Sequence, residues 1–281
     1  MVFWQRLKQD KLAMLCLGIV GGVFLLGVLA PVIAPHDPLA PNLAVKYAGV
    51  SPDYPFGADQ LGRCVLSRLL YGIRTTVGLS LVTMAATLLI GTLLGLTAGF
   101  FRGRIDEGIM RLCDVLLSFP SEVMILAIVG MLGPGLTNVV IANIAAKWAW
   151  YTRMIRSLVI QYTDRNYLRF AKVAGCSTGH IMRKHLLPGV LSDIVVLATL
   201  DTGWVILSIS ALSFLGLGVQ APMPEWGMML NEAKNVMITH PQQMLAPGLA
   251  ILLVVSAFSF LGDSIRDALD PKYNRHKAVN K

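Results

Sequence analysis

Six long apolar runs, at 12–34, 76–101, 115–132, 136–151, 187–219 and 244–262, constrain this chain more than any other feature. A helix needs about 20 mostly apolar residues to cross a hydrocarbon layer about 30 Å thick. Backbone polar groups find no water in lipid, so a spanning segment must be a helix or part of a closed barrel. The runs are unbroken and lack the alternation of barrel strands. The expectation is an all-α integral membrane protein with about six transmembrane helices. The fourth run is short and is extended by its aromatic end, and the fifth is long enough to tilt or to bend at Gly203. Composition excludes an ordinary soluble domain: 14% of the 281 residues are charged, against about a quarter in soluble proteins.

The formal net charge of +8 would suit nucleic-acid binding, but the positions of the bases argue otherwise. With the N-terminus inside, 18 of the 24 Lys and Arg fall on inner segments. Arg6, Lys8 and Lys11 precede the first run; Arg102, Arg104 and Arg111 follow the second; seven lie between Arg153 and Lys184; and five run from Arg266 to Lys281. The outer segments hold Lys46, Arg63, Arg68, Arg74 and Lys234, and Lys147 falls within a run. Such asymmetry is the mark of a positive-inside membrane protein. It places both termini in the cytoplasm and leaves no role for nucleic acid. The first run exceeds the 7–15 residues of a signal core and reads as a retained span. The expected organisation is a cytoplasmic N-terminus and first helix at 1–34, an extracytoplasmic segment at 35–75, a core at 76–270 and a cytoplasmic tail at 271–281. Trp226, Met228 and Met229 fall on an outer segment, where they would meet a partner or the lipid surface.

The longest inner segment contains "RNYLRFAKVAGCSTGHIMRKHLLPG" (165–189), with five bases and no acid. Tyr167, Leu168, Phe170 and Ala171 are apolar while Arg169 and Lys172 are basic, which gives a short amphipathic helix. Gly175 permits a turn, and Pro188 is placed to open the next span. A basic amphipathic helix serves equally to lie on lipid headgroups or to dock a partner. Phe170, Tyr167 and Leu168 would be the anchors in the second case.

No GxxxxGK[ST] loop is present to cradle phosphates, and no HExxH, GxSxG or Cys/His cluster offers catalysis or a metal centre. Cys16, Cys64, Cys113 and Cys176 form no CxxC pair. His36 and His240 are too far apart in sequence to suggest a metal site. Asp201 stands out near the middle of the fifth run, where a carboxylate costs on the order of 3 kcal/mol to insert. It is either a pathway residue attracting a cationic cargo or a hydrogen-bonded structural acid. Gly91, Gly95 and Gly99 repeat every four residues and suit close helix packing.

Several motifs resemble the permease subunits of ABC importers. The segment 165–189 is similar to their "EAA" loop in Ala171, Gly175 and Leu187-Pro188, with Arg169 where Glu is usual and Phe170 where Ala is usual. "FGADQLGRCVLSRLLYGIRTTVGLS" (56–80) resembles the FGTDxxGRDxLSRLLYGxRxSL pattern of C-type dipeptide, oligopeptide and nickel permeases, with Cys64 replacing Asp. "LSFLGLGVQAPMPEWGMML" (212–230) and "LGDSIRDALDP" (261–271) match the same group. "GLTNVVIANIAAKWAWYTRMIRSLVI" (135–160) and "VLATLDTGW" (196–204) are most similar to the nickel branch, with peptide permeases close behind.

The resemblance implies a type I ABC-importer permease fold and a non-catalytic membrane subunit. It makes residues 152–187 an ATPase-coupling loop, carried by Tyr167, Leu168, Arg169, Phe170, Ala171, Lys172, Gly175 and Pro188. Two separate ATPase subunits would use ATP and Mg, and this chain would bind no cofactor. A second permease subunit and an extracytoplasmic substrate-binding protein would complete the assembly in a bacterial cytoplasmic membrane. The implied cargo is nickel, cobalt or a metal chelate, with di- or oligopeptides as the alternative. Asp201 and Trp204 are the candidate pathway residues.

Overall fold

A computed structural model describes residues 2–269; the expected tail at 271–281 and the side chains of Val2 and Lys172 lie outside the described residues. The described chain is helical apart from turns, short 3-10 segments and one isolated bridge between Ala58 and Cys64. A short helix α1 (Val2–Gln9) leads into α2 (Lys11–Ile33). Asp10 caps α2, its carboxylate accepting from the Leu12 and Ala13 amides at 3.0 and 3.3 Å. That span agrees with the expected first run to within a residue at either end.

Four boundaries differ from the sequence reading, each for a physical reason. Helix α3 runs Val65–Phe101, 37 residues, rather than beginning at residue 76. At 1.5 Å per residue it is about 55 Å long, well beyond a bilayer core. The last part of the expected outer segment, 65–75, is its first three turns, where Leu69, Leu70 and Ile73 turn one face into the core. The third run divides into α4 (Gly103–Leu117) and α5 (Ser121–Leu132), bent by 82° across a break that contains Pro120. Proline cannot donate to the preceding turn and disfavours helical geometry at Phe119. Alone, α5 rises about 18 Å, short of a bilayer core.

Helix α6 (Leu136–Thr163) continues past Tyr151. Its extension is held by Arg156, whose guanidinium donates to both Asp106 oxygens at 2.5 Å, and by Arg153 paired with Asp114. Helix α7 (Asn166–Val173) is followed by α8 (Thr178–Ile181), a π-helical turn at Met182–Leu186 and α9 (Leu187–Phe214). The last three form one continuous helix, so Pro188 lies inside the span instead of opening it. The wide turn fits this placement, because the Leu187 amide bonds back to Met182 O just before a residue that has no amide proton to give. The chain closes with α10 (Trp226–Ala233) and α11 (Gln242–Leu269).

Four helices, α2, α3, the α8–α9 helix and α11, are long and apolar enough to cross a membrane, and the count is five if the bent α4–α5 pair is taken as one span. Helix α6 has ample length but carries Lys147, Arg153 and Arg156, which lowers its apolar character below theirs. With it, the expectation of about six spanning elements holds.

Two compact units divide the chain. The first comprises the described parts of Met1–Val82, Val129–Ile141 and Thr199–Lys281. Its core joins Val20 and Ala30 of α2 to Leu70 and Ile73 of α3, Ile206 of α9, Trp226 of α10 and Val254 and Phe258 of α11. Helix α1 is fastened by Leu7, which packs with Ala13 and Ala268, and by Arg6 donating to the Ala268 carbonyl at 3.1 Å. The second unit is Thr83–Ile128 with Ala142–Ala198. There Gly91, Gly95 and Gly99 form a smooth edge of α3 against Tyr151, Ile155 and Val159 of α6; a Cβ at Gly91 would stand 2.6 Å from that of Tyr151. The glycine repeat is a packing device.

Candidate functional site

Helix α7 carries apolar residues on two faces, and only one is buried. Leu168 and Ala171, three positions apart, are 1% and 7% exposed and hold the helix against its own unit. Phe170 is 74% exposed and Tyr167 47%. Of the three expected docking anchors, Leu168 is packed inside the unit, whereas Tyr167 and Phe170 are exposed. Both line a groove of about 540 Å³ that also includes Ala171, Cys176 and His185. Arg169 is exposed, 4.0 Å from Asp164. Gly175 has φ +75°, the left-handed conformation that reverses the chain after α7 and that glycine adopts most cheaply. Ser177 then caps α8, accepting from the His180 amide. The segment is thus a short helix with two exposed aromatic side chains between two basic stretches.

The expected pathway pair lies in the other compact unit. Asp201 sits in the middle of α9, partly buried and engaged in an interaction. Trp204, three residues on and so on a neighbouring position of the same helix face, is 63% exposed. Among the described residues no group of three His, Cys, Asp or Glu is arranged to hold a metal ion. His36 stacks on Tyr54 and His240 on Tyr47, with ring centres 4.6 and 4.3 Å apart. Each histidine therefore has a packing role.

A constellation that sequence reasoning missed lies at the start of α3. Arg63 and Arg68, counted as ordinary outer bases, are each 1% exposed and share two carboxylates, Asp59 and Glu232. Arg63 Nε meets Asp59 at 2.6 Å and its Nη2 meets both Glu232 oxygens at 3.0 Å. Arg68 Nη1 reaches Asp59 at 2.6 Å and Glu232 at 2.5 Å. Asp59 further accepts from the Leu61 and Arg63 amides, which shapes the preceding loop. Two positive and two negative charges balance, as burial in an apolar setting demands. Arg68 Nε and Nη2 are buried without a hydrogen-bond partner.

Beside the cluster, Glu225 is fully buried and caps α10. It accepts from the Met228 amide at 2.8 Å, from the Thr76 hydroxyl at 3.0 Å and from Ser210 at 3.4 Å. Trp226, expected at a lipid or partner surface, is 2% exposed and donates its indole N–H to the Leu69 carbonyl at 3.1 Å. It occupies space left by Gly72, where a Cβ would lie 2.7 Å from the indole ring. Residues 164–169 positions apart in sequence are thereby bolted together. The signal was available: "FGADQLGRCVLSR" offers an acid with bases four and nine positions on, yet nothing in the sequence names Glu232 as the fourth member.

These features define a multi-pass helical membrane protein whose helix α7 exposes two aromatic side chains. The chain belongs to the family of binding-protein-dependent transport system inner membrane components, which it matches over residues 91–275; residues 2–49 match the N-terminal TM domain of oligopeptide transport permease C. It is 46% identical over 272 residues to the metal-staphylopine import system permease protein CntC of Staphylococcus aureus (strain Mu50 / ATCC 700699), covering 97% of this chain and 94% of that one. Against the nickel transport system permease protein NikC of Escherichia coli (strain K12) identity is 40% over 237 residues, 84% and 86% of the two chains. The dipeptide transport system permease protein DppC of Alkalihalophilus pseudofirmus is 39% identical over 269 residues, 96% and 88% of the two. Among solved structures, a chain of the inward-facing MetNI methionine ABC transporter superposes with TM-score 0.60 at 16% identity, over 73% of this chain and 98% of that one. That likeness bears on the fold alone.

Proposed function

We propose that this chain is a permease subunit of an ATP-driven importer for nickel, cobalt or a metal chelate, working by alternating access in a bacterial cytoplasmic membrane. It has no phosphate-binding loop of its own, so the energy comes from two ATPase subunits that bind ATP and Mg. They dock on α7 through Phe170 and Tyr167, while Arg169 offers a charge to acidic partners. A second, related permease completes the pathway, and an extracytoplasmic binding protein delivers cargo to the side bearing the 34–64 segment and α10. Both termini then face the cytoplasm. Closure of the ATPases moves the α7 knobs and swings the attached helices as near-rigid bodies.

The observation that carries this reading is the exposure of Phe170 at 74% on a helix whose opposite face is buried. Aromatic side chains held rigidly in the open are what interface centres use. Metal as cargo is supported by the relatives named for metal-staphylopine and nickel import. A dipeptide permease at 39% identity keeps peptide import as the second reading. Transport competition in the reconstituted assembly separates them. Nickel or cobalt with a chelator should displace labelled cargo, whereas displacement by short peptides alone would assign the importer to peptides.

A further inference from the structure

Helix α8 and the π-helical turn that follows it place two imidazoles together that an ordinary helix would separate. An α-helix turns about 100° per residue, so positions five apart, such as His180 and His185, would face about 140° away from each other. The π-helical turn at Met182–Leu186 changes that. It closes its hydrogen bond five residues back, as seen from the Leu187 amide to Met182 O, and so absorbs one extra residue. His180 and His185 consequently share a face, with ring centres 5.5 Å apart and planes tilted by 57°.

That spacing suits a shared ion. Imidazole nitrogens bind a transition metal at about 2.0–2.1 Å, which places two ligating rings roughly 5 Å apart, centre to centre, when they share one ion at a tetrahedral angle. Neither ring is committed elsewhere in the way that His36 and His240 are stacked on tyrosines. His180 is exposed, and His185 opens onto the groove beside α7. We propose that His180 and His185 form a two-histidine site for a single borderline divalent cation, nickel, copper or zinc, with water filling the remaining positions. Because no third His, Cys, Asp or Glu is arranged to join them among the described residues, the site is open and exchangeable rather than structural. Hard cations such as magnesium and calcium, which take oxygen ligands, are excluded by the donor set. The exposed Arg183 and Lys184 beside the pair oppose any cation held by charge alone, so only metals that bond strongly to nitrogen remain.

The site stands on this geometry and not on the identity of the cargo. Equilibrium dialysis of the untagged, purified full chain against Ni²⁺ alone, with Mg²⁺ as control, tests it without ATPase subunits or chelator. About one Ni²⁺ per chain is expected, with no detectable Mg²⁺. His180→Gln and His185→Gln should each weaken Ni²⁺ binding at least tenfold, while His240→Gln leaves it unchanged. Both substituted positions are partly or fully exposed, so folding should survive. A readout that needs no variant is slower amide exchange across 178–188 in the unaltered chain when Ni²⁺ is added. Ni²⁺ binding that persists in both variants, or no change in exchange over 178–188, overturns the site. Either result leaves the transport competition above to succeed or fail on its own.

Discussion

The start of α3 and the exposed face of α7 invert the usual distribution of residues in opposite ways. Around Arg63, Asp59, Arg68 and Glu232, four charges are taken out of water. On α7, the ring of Phe170 is held out of the protein. Buried charges are tolerated only when paired and well bonded, and their geometry admits few alternatives. Exposed aromatics on a fixed helix await another surface. The first region is therefore built to stay still, and under the proposed function the second is covered by a partner. Substitutions should separate the two by what they damage.

Removing one member of the ionic cluster should have the largest effect. Glu232→Ala leaves two buried guanidinium groups sharing a single carboxylate, and breaking such a network costs about 3–5 kcal/mol. The expected result is a protein that loses much of its thermal stability in detergent and accumulates poorly. Glu232→Gln, which keeps shape and some hydrogen bonding, should lose less. If Glu232→Ala unfolds at the same temperature as the unaltered chain, the cluster holds nothing together.

Phe170→Asp probes the other region. The chain should insert and melt normally, because the side chain makes little contact within its own unit. Association with ATPase subunits should weaken by about 2 kcal/mol or more, the scale of an interface hot spot, which is at least about thirtyfold. Co-purification and coupled uptake in proteoliposomes measure both. Leu168→Asp makes the internal comparison: it buries a charge, so it should lower stability before it affects docking. Equal behaviour of the two variants would erase the distinction between the faces of α7.

The sequence disclosed these two regions unequally. The apolar runs revealed the spanning class because lipid leaves a backbone so few options, and Gly175 marked a real reversal because few residues accept φ +75°. Helix ends were less legible. Hydropathy stops where charge begins, yet α3 and α6 continue through Arg68 and Arg153 because each finds a carboxylate in three dimensions. Pro188 was read by its usual place at a helix start, but a π-turn let the helix pass through it. Trp226 and Leu168 were assigned to surfaces by residue type. Their burial depends on neighbours, Gly72 and the body of the second unit, that no local pattern encodes.

A third substitution tests packing without charge or docking. Gly91→Ala brings a methyl group to 2.6 Å from the Tyr151 Cβ, closer than van der Waals contact allows. Helix α3 and helix α6 must part slightly, at a cost of about 1–3 kcal/mol. A modest fall in melting temperature should follow, with ATPase association preserved. Unchanged stability would show that the smooth edge of α3 is dispensable.

Asp201→Asn carries the smallest expected effect and separates two roles for one residue. The substitution keeps size and hydrogen-bonding capacity, so a structural acid held by hydrogen bonds should lose little stability. A carboxylate that helps to draw a positively charged cargo should lose its charge contribution, about 1 kcal/mol for a partly screened interaction in an effective dielectric well below that of water. The half-saturating cargo concentration should then rise about fivefold, with maximal rate and expression nearly unchanged. Trp204→Phe, one turn along the same face, keeps an aromatic surface without altering charge and should leave that concentration within about twofold. If Asp201→Asn instead lowers the melting temperature and leaves cargo affinity intact, the acid belongs to the packing of α9, and the pathway must be sought on other helices.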